Sequence, residues 1–313
     1  MCGAVAIIFI HGGARPARGI SAPAPGNSAL PPLARSDHGV YDQIVRQNRL
    51  ASRRRKASRA RLGPGRARNG RLDHGRKGVR FAIAKRFAEP GRDILINYLR
   101  DEDSANAAVE ALRALGARPH AIRRDVGSIE GARELMAIAS EMVDRLDVIV
   151  HCAVRVLVGP LLEADPVALT QAIVLNGISL VYLVQAAGPL LKPGGSVVFL
   201  SSRGSRQVVP GYGAIGAGKA LAEAFVRYLT PELAARGVRI NCVAPGTLDT
   251  QAVRDLFGSG TDAFLRQEAA GNPSGRNITH DDYTGLVKFL ASPEAEMIQG
   301  QVIFINGGQY VIA

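Results

Sequence analysis

The chain has 313 residues, of which 47% are hydrophobic and 35 are glycine, with no tryptophan. This length allows one large domain with a sizeable core. The three cysteines are too few and too scattered for a disulfide framework or a zinc site, so no metal is expected. No apolar run reaches transmembrane length, and the first residues make a poor secretion signal. We therefore expect a cytoplasmic protein with no membrane partner.

The net charge of +12 comes from the N-terminal quarter of the chain. Residues 1–80 hold 17 of the 39 Lys and Arg but only 3 of the 27 Asp and Glu, so their net charge is +14 and that of the remaining residues is −2. The body that follows is close to neutral, and the basic composition says little about what it binds. No nucleic-acid partner is expected for it.

From about residue 79 onward the sequence predicts alternating helices and strands. In chain order these are a helix in VRFAIAKRFAEPG, a strand in DILINY, a helix in DEDSANAAVEALRALGA, a strand in RPHAIRRDV, a helix in SIEGARELMAIASEMVDRL, a strand in DVIVHCAV, one long helix in DPVALTQAIVLNGISLVYLVQAAGPLL, a strand in GGSVVFLSS, a helix through Lys219 to Arg236, and strands in RINCVAPG and GQVIFINGG. This alternation favours an α/β fold, a Rossmann-type doubly wound parallel sheet in a single domain.

Such a sheet binds its ligand at the carboxyl ends of its strands, so residues just beyond those ends are candidate site residues. They are Asn97, Tyr98 and Arg100; Asp125 and Val126; His151, Cys152 and Ala153; Ser201 and Ser202; and Pro245, Gly246, Thr247 and Thr250. Asn176 lies inside the long helix, and Tyr212 and Lys219 lead the next one.

These segments, in this order and spacing, resemble the short-chain dehydrogenase/reductase family over roughly residues 72–313. The resemblance rests on DV at 125–126, on HCAV where the family usually has Asn-Asn-Ala-Gly, on LNG with its helical Asn176, and on FLSS, RINCVAPGTLDT and GQVIFINGG. It implies hydride transfer with a nicotinamide cofactor. It also implies cofactor contacts at Gly78, Asp125, Val126, Cys152, Ala153, Lys219, Pro245, Gly246 and Thr250.

The family's usual acid is a tyrosine four residues before the lysine, and here that position is Ile215. One branch, the enoyl-acyl-carrier-protein reductases, has Tyr-x6-Lys, and YGAIGAGK fits that pattern. MIQGQ (297–301) and NPSGR (272–276) look like the subgroup that uses NADPH. Seven residues are about two helical turns, so Tyr212 and Lys219 are expected to share a face about 10 Å apart along the axis.

The greater spacing suits a 2-enoyl thioester, because hydride adds at C3 and charge develops on the carbonyl oxygen two carbons away. An acid displaced by one turn can stabilise that enolate. Tyr212 is therefore the expected acid, and Lys219 is expected to hold the nicotinamide ribose. Ser202 is a candidate substrate contact or a strand-end hydroxyl that caps backbone, and Asn176 is expected to distort its helix near Lys219. Cys152 is expected to be small buried filler, and His151 is given no chemical role.

Cofactor choice is predicted from the end of the second strand, where an acidic residue would accept the 2′-hydroxyl of NAD. The chain instead has NYLR, with Asn97 and then Arg100. A cation there can bind a 2′-phosphate, so the sequence favours NADPH. The alternative is that Arg100 is an ordinary surface charge.

The phosphate-binding glycine loop departs from the family's Thr-Gly-x3-Gly-x-Gly pattern. Gly78 is present, but Arg80 stands where the last glycine should be, and NGRLDHGRK before it does not read as a strand. An arginine side chain there is expected to keep the backbone from the pyrophosphate. Residues 1–77 are Arg/Pro/Gly-rich, and residues 43–72 hold 11 basic residues and no acid, a composition typical of disorder.

Three interpretations of residues 1–77 remain open. The segment is an out-of-frame reading of the same gene, since codons for Asn69–Gly75 shifted by one base can spell Thr-Val-Ala-Leu-Ile-Thr-Gly; or it is a targeting peptide; or it is a nucleic-acid-binding tail. The domain division expected from the sequence is 1–77 and 78–313.

The sequence thus favours an NADPH-dependent reductase of a 2-enoyl thioester, carried on acyl carrier protein or CoA, in fatty-acid or related acyl-chain synthesis. A carbonyl reductase of the same family and a catalytically impaired nucleotide-binding homologue are the alternatives. The resemblance also implies a homotetramer or homodimer.

Overall fold

The computed structural model describes residues 7–11, 78–250, 253–254 and 257–311. The described residues belong to one compact unit, Met1–Ala14 together with Asn69–Ala313. The predictions made for residues 12–77, including the irregular basic segment, lie outside the described part of the chain.

Seven strands form one sheet in the order β3-β2-β1-β4-β5-β6-β7. They are β1 (Ile7–His11), β2 (Asp93–Tyr98), β3 (Arg118–Arg123), β4 (Leu146–His151), β5 (Leu191–Leu200), β6 (Arg239–Pro245) and β7 (Val302–Ile305). Every residue of β2 and of β6 is buried, which is typical of strands covered on both faces.

Eight α-helices flank the sheet within the described residues. They are α1 (Val79–Phe87), α2 (Glu102–Arg113), α3 (Ile129–Met142), α4 (Pro166–Ile173), α5 (Ser179–Ala187), α6 (Gly213–Ala234), α7 (Thr261–Ala270) and α8 (His280–Leu290). A π-helical turn, Val174–Ile178, joins α4 to α5, so the single long helix predicted there is continuous but distorted. The last two helices were not predicted from the sequence.

Short polar side chains fix where several of these helices begin. Asp101, Ser128 and Asp165 each accept a hydrogen bond from a backbone N–H in the first turn of α2, α3 and α4. Thr279 and Asp282 form a reciprocal capping box at the start of α8. These caps satisfy N–H groups that have no partner within the helix. The first three explain why the predicted starts of α2, α3 and α4 agree closely with the structure.

The parallel, doubly wound sheet predicted from the sequence is confirmed for β2 to β7. The exception is β1, which pairs antiparallel with both β2 and β4, with His11 opposite Asp93 and Ile7 opposite His151. It lies between β2 and β4, where the order of a doubly wound sheet puts its first strand. Because β1 runs the other way, its carboxyl end lies at the edge opposite the ligand-binding edge. A glycine loop at the ligand edge therefore cannot begin from this strand.

The core has two parts, one on each face of the sheet. One packs α3, α5 and α6 against β4 and β5, and the other packs α1, α2 and α8 against the opposite face. The helical span Pro166–Ala187 is long and apolar enough to cross a membrane by length and composition, with 44% of it buried in the fold. Leu175, Leu180 and Leu183 of this span belong to the first core, so its apolar character is that of a core helix.

Candidate functional site

Tyr212 immediately precedes α6 and begins it. Its carbonyl accepts hydrogen bonds from the backbone N–H groups of Ile215 and Gly216. The Tyr212 side chain is half-buried, and burial raises the pKa of its phenol, while the Ser202 hydroxyl and the Arg203 charge lower it. Ile215, in the position of the family's usual acid, is only 1% exposed. The candidate acid thus lies at the edge of the site, and the usual position is closed into the core.

The glycines of the segment YGAIGAGK allow three close approaches. A Cβ on Gly213 would lie 2.8 Å from Leu161, one on Gly216 would lie 2.4 Å from the Gly204 carbonyl oxygen, and one on Gly218 would lie 2.6 Å from Asn176. Real Cβ atoms do not approach that closely. These glycines therefore fix how near α6 lies to its neighbours, including the segment that bears Ser202.

The Tyr212 ring packs on Gly204, since a Cβ at that glycine would lie 2.5 Å from Cδ1 of the ring. Ser202, two residues earlier, has a buried hydroxyl that lowers the Tyr212 pKa but has no hydrogen-bond partner of standard geometry among the described residues. A buried hydroxyl without such a partner is uncommon in folded proteins. The Ser202 hydroxyl therefore lies beside the Tyr212 phenol, the one titratable group of the described chain that it affects.

Lys219 lies in α6 and is 5% exposed. Its ammonium donates a hydrogen bond to the Leu200 carbonyl at the end of β5 and lies 4.5 Å from the centre of the Phe199 ring. Burial lowers the Lys219 pKa to about 8, against the opposing effects of Cys152, Cys242 and Glu223. Both Tyr212 and Lys219 therefore face the segment from Leu200 to Gly204, as the seven-residue spacing predicts.

Asn176 sits in the π-helical turn, and its side chain bonds to the backbone of the loop after β4. Its Oδ1 accepts from the Arg155 N–H at 2.9 Å, and its Nδ2 donates to the Arg155 carbonyl at 3.0 Å. The predicted helix distortion is present at this residue. π-Turns of this kind often mark functional sites.

The two residues that replace the family's paired asparagines lie at the end of β4, where His151 is buried and Cys152 is half-buried. His151 bonds through Nε2 to the Ser179 hydroxyl at 2.8 Å, and burial and the Lys219 charge lower the His151 pKa to about 3. Burial raises the Cys152 pKa to about 12, so its thiol is neutral and is no nucleophile. Both residues therefore have structural roles and no chemical role, as the sequence analysis expects.

Several of the predicted cofactor-binding residues lie at or just beyond the carboxyl ends of parallel strands, which share one edge of the sheet. Asp125, whose Oδ1 accepts from the Gly127 N–H, follows β3, Ala153 follows β4, and Pro245 ends β6. Gly246 donates its N–H to the Ile305 carbonyl at 2.7 Å, and Thr250 accepts from the Val253 N–H. Arg100 is exposed in the bend after β2.

Gly78 and Arg80 occupy the start of α1, where the glycine loop is expected. Gly78 has an extended conformation and caps α1 without a side chain. Arg80 is half-buried; burial lowers its pKa, and Cys152 and Asp101 oppose that effect. The side chain therefore extends toward the ends of β2 and β4, and the cofactor crevice contains a cation instead of a glycine backbone.

The side chains at this edge fit a dinucleotide cofactor. The buried Lys219 ammonium is suited to ribose hydroxyls and to developing negative charge, and Arg80 at a helix N-terminus is suited to phosphate. The buried Ser202 hydroxyl lacks a partner of standard geometry within the described chain, as expected if a bound molecule supplies one. Among the described residues, no three His, Cys, Asp or Glu side chains could hold a metal.

Sequence reasoning missed two charged residues at this site. Glu223 is buried in α6, where its carboxylate accepts from Ser201, Ser205 and Arg206. Arg203 is held by Glu268 of α7 at 3.0 Å and by the Tyr310 hydroxyl. The sequence offers one signal for each: Glu223 lies one helical turn after Lys219, and Arg203 directly follows Ser202. Neither signal distinguishes these residues from ordinary surface charges.

The family model described as enoyl-(acyl carrier protein) reductase matches residues 75–309 of the chain. An uncharacterized oxidoreductase of Methylorubrum extorquens is 32% identical over 234 residues, which are 74% of this chain and 93% of that protein. An enoyl-[acyl-carrier-protein] reductase [NADH] of a Nostoc species is 29% identical, over 75% of this chain and 93% of that protein.

The prediction of NADPH as the favoured cofactor is wrong. The enoyl reductases of Nostoc and Synechocystis species, which are 29% and 28% identical to the chain, are both named as NADH enzymes. The structure explains why the segment NYLR gave the wrong prediction of the cofactor. The Asn97 amide donates to the Ile122 and Arg124 carbonyls, so it is committed to the sheet, and an exposed arginine in a turn is no evidence for a 2′-phosphate site.

The structure of an enoyl-[acyl-carrier-protein] reductase (NADH) from Aquifex aeolicus superposes with a TM-score of 0.66 at 25% identity, covering 76% of this chain and 94% of that one. This structural match covers about the same share of the chain as the family model, which spans residues 75–309. The chain therefore belongs to the short-chain dehydrogenases/reductases, in the family described as enoyl-(acyl carrier protein) reductase.

Proposed function

We propose that the protein reduces the 2,3 double bond of a 2-enoyl thioester with a nicotinamide cofactor. The observation that carries the proposal is the position of the tyrosine that precedes the Lys219 helix: Tyr212 packs on Gly204, whereas Ile215, four residues before the lysine, is closed into the core. An acid one turn further from Lys219 suits an oxygen two carbons from the carbon that accepts hydride.

When bound, the nicotinamide cofactor supplies hydride to C3 of the substrate. The Tyr212 hydroxyl donates a hydrogen bond, and then a proton, toward the thioester oxygen as negative charge develops there. Its raised pKa keeps it protonated at neutral pH. The Lys219 ammonium stabilises that charge across the site, and the Ser202 hydroxyl supplies a second donor beside the phenol.

The residues that would hold the cofactor lie along the carboxyl edge of the sheet. Lys219 binds the nicotinamide ribose, with Asn176 fixing the backbone beside it through Arg155. The remaining contacts carried over from the family are Gly78, Asp125, Val126, Cys152, Ala153, Pro245, Gly246 and Thr250.

A carbonyl reductase is the second candidate, and one observation favours it. Ser202 presents a buried hydroxyl without a partner of standard geometry beside Tyr212, and a Ser–Tyr pair can polarise a ketone as well as an enoyl thioester. A catalytically impaired homologue is the third candidate, favoured by Arg80 in place of a loop glycine.

We also propose the remaining context of the reaction. The acyl group is carried on acyl carrier protein or CoA in fatty-acid or related synthesis, in the cytoplasm. The chain assembles as a homotetramer or homodimer, as the family resemblance implies.

In our proposal residues 78–313 form the catalytic domain, but the expected boundary needs one correction, because β1 (Ile7–His11) of the N-terminal segment lies in the sheet of that domain. The family match begins at residue 75, close to the boundary expected from the charge distribution. If the N-terminal segment is an out-of-frame reading, the nucleotides over codons 60–80 contain an open shifted frame. A closed shifted frame there rejects that interpretation and leaves a targeting peptide or a basic tail.

The test is oxidation of NADH, followed by absorbance, with crotonyl-CoA and acetoacetyl-CoA in parallel assays. We expect turnover of crotonyl-CoA, reduced roughly 100-fold or more in Tyr212→Phe. The matched control is Tyr228→Phe, a tyrosine of the same helix that is 75% exposed; its activity should equal that of the wild type. Preferential turnover of acetoacetyl-CoA, or full activity of Tyr212→Phe, rejects the proposal.

A further inference from the structure

Glu223 is a carboxylate buried inside α6, one turn after Lys219, and 3% of it is exposed. Neither the hydride-transfer chemistry nor the family motif assigns it a role. Two charged residues four apart on a helix lie about 6 Å apart along the axis. A buried carboxylate is costly unless it is fully hydrogen-bonded and paired, so its partners indicate what it does.

Three side chains donate hydrogen bonds to Glu223, and all come from one segment, Ser201–Arg206. Ser201 and Ser205 donate to Oε1, each at 2.5 Å, and Arg206 donates to Oε2 at 3.1 Å. The Ser205 hydroxyl has a single proton and also lies 2.8 Å from the carbonyl oxygen of Ser202, so it shares that proton between the carboxylate and the carbonyl. The carboxylate therefore fixes the backbone on both sides of Ser202.

The same segment is held on either side of this clamp. Lys219 donates to the carbonyl of Leu200, the residue before Ser201, and Gly204 packs between the Tyr212 ring and Gly216. The relative position of Ser202, Tyr212 and Lys219 thus depends on contacts between α6 and the stretch from Leu200 to Arg206. Glu223 provides the charged contact among them.

Glu223 also places a negative charge near the buried Lys219 ammonium, which has no other negatively charged group among the described groups that face it. The groups facing Lys219 are His151 and Cys152 from the end of β4, Cys242 from β6, and Glu223 from its own helix. Burial raises the pKa of both thiols, that of Cys152 to about 12. Both thiols are therefore neutral when Lys219 titrates near pH 8, and the buried, uncharged His151 adds no negative charge.

We propose that Glu223 is a positioning residue of this site: it clamps the segment Ser201–Arg206 against α6 and supplies the negative charge that keeps the buried Lys219 ammonium protonated. The inference rests on the proposed function for its catalytic consequence, but its electrostatic part concerns the folded chain alone. Glu223 touches no reacting atom in this account and acts through Lys219 and Ser202.

The test compares Glu223→Gln with the wild type, each made with and without Lys219→Met. For each pair we measure the difference in unfolding free energy by urea unfolding from pH 6 to 11. This difference begins to rise at the pKa of Lys219 in the folded protein, and that pH is called the midpoint below. We expect this midpoint to fall from about pH 8 by roughly one to two pH units in Glu223→Gln. The alkaline limb of kcat/KM for crotonyl-CoA with NADH should move by the same amount.

Three variants separate charge from structure. Ser205→Ala removes one hydrogen bond to the carboxylate and keeps its charge, so the midpoint should stay at that of the wild type. Glu232→Gln, on the exposed surface of α6, should leave midpoint and activity unchanged. Arg206→Met removes the positive charge beside Glu223, which leaves more net negative charge near Lys219, so the midpoint should rise. The rise should be roughly half a pH unit, because the Arg206 side chain is partly exposed and its charge is screened by solvent.

An unchanged midpoint in Glu223→Gln, or an equal shift in Ser205→Ala, overturns the proposal. If Glu223→Gln does not fold, Arg206→Met decides alone, and an unchanged or lowered midpoint there overturns it. If the wild type reduces no thioester while the stability midpoints still move as expected, the proposed function fails and the electrostatic role of Glu223 stands.

Discussion

Replacing Lys219 by methionine should change how stability depends on pH. The Lys219 pKa is about 8 in the folded protein instead of the ordinary 10.5, because burial disfavours the charged amine. Each pKa unit corresponds to about 1.4 kcal/mol. Between pH 8 and 10.5 the folded protein has released the Lys219 proton while the unfolded chain retains it. The free energy of unfolding of the wild type should therefore gain about 3 kcal/mol from this residue over that range.

Below pH 8 both states carry the charge, and the cost of burying it is fully present. Methionine has nearly the same length and no charge, so Lys219→Met should be more stable than the wild type at pH 7, by up to about 3 kcal/mol less the lost hydrogen bond to Leu200. The two curves should converge as the pH approaches 10.5. The assay is urea unfolding followed by circular dichroism at half-unit intervals from pH 7 to 11.

The control is Lys192→Met, since Lys192 is exposed in β5 and its removal should leave a curve parallel to that of the wild type. Parallel curves for wild type and Lys219→Met over the whole range would refute the reasoning, because they would mean that the ammonium is solvated in the folded protein.

Three further predictions follow from the same site. His151, whose pKa is about 3, remains neutral in the folded protein, whereas in the unfolded chain it takes up a proton below pH 6.5. The free energy of unfolding of the wild type should therefore fall by up to about 5 kcal/mol between pH 6.5 and 3. That of His151→Asn, measured by acid unfolding, should fall by less. Gly204→Ala should lower kcat for crotonyl-CoA roughly 10- to 100-fold with little change in Tm, because its Cβ would lie 2.5 Å from the Tyr212 ring and displace it; unchanged kcat would contradict this packing. Ile215→Tyr should cost about 1–3 kcal/mol in thermal unfolding and create no acetoacetyl-CoA reduction, whereas a gain of that activity would show that position 215 reaches the site.

The sequence predicts the sheet and the Tyr–Lys geometry well because both depend on short-range periodicity. Apolar strands such as DVIVH and capped amphipathic helices such as IEGARELMAIASEM carry their own start and stop signals. The seven-residue spacing places Tyr212 and Lys219 on one side of a helix whatever surrounds it. The close approaches at Gly216 and Gly218 follow only from the packed structure, since a glycine in a helix has several explanations.

The direction of β1 could not be predicted, because pairing between distant segments decides it. A run such as IIFIH is equally compatible with either orientation between two buried strands. Glu223 was missed for a related reason: a glutamate in a helix is usually a solvated charge, and only the positions of Ser201, Ser205 and Arg206 show that this one is buried and paired. The NADPH prediction failed because a charge near a strand end was interpreted without knowledge of where its side chain lies.

The central claim is that the displaced tyrosine makes this site an enoyl-thioester reductase. The most direct measurement is a competition in which equimolar crotonyl-CoA and acetoacetyl-CoA are offered to the full chain with limiting NADH, and the acyl products are resolved by mass spectrometry. The account predicts butyryl-CoA as the dominant product, with its formation reduced roughly 100-fold or more in Tyr212→Phe and retained in Tyr228→Phe. Dominant 3-hydroxybutyryl-CoA, or butyryl-CoA formation that is indifferent to Tyr212, would contradict it.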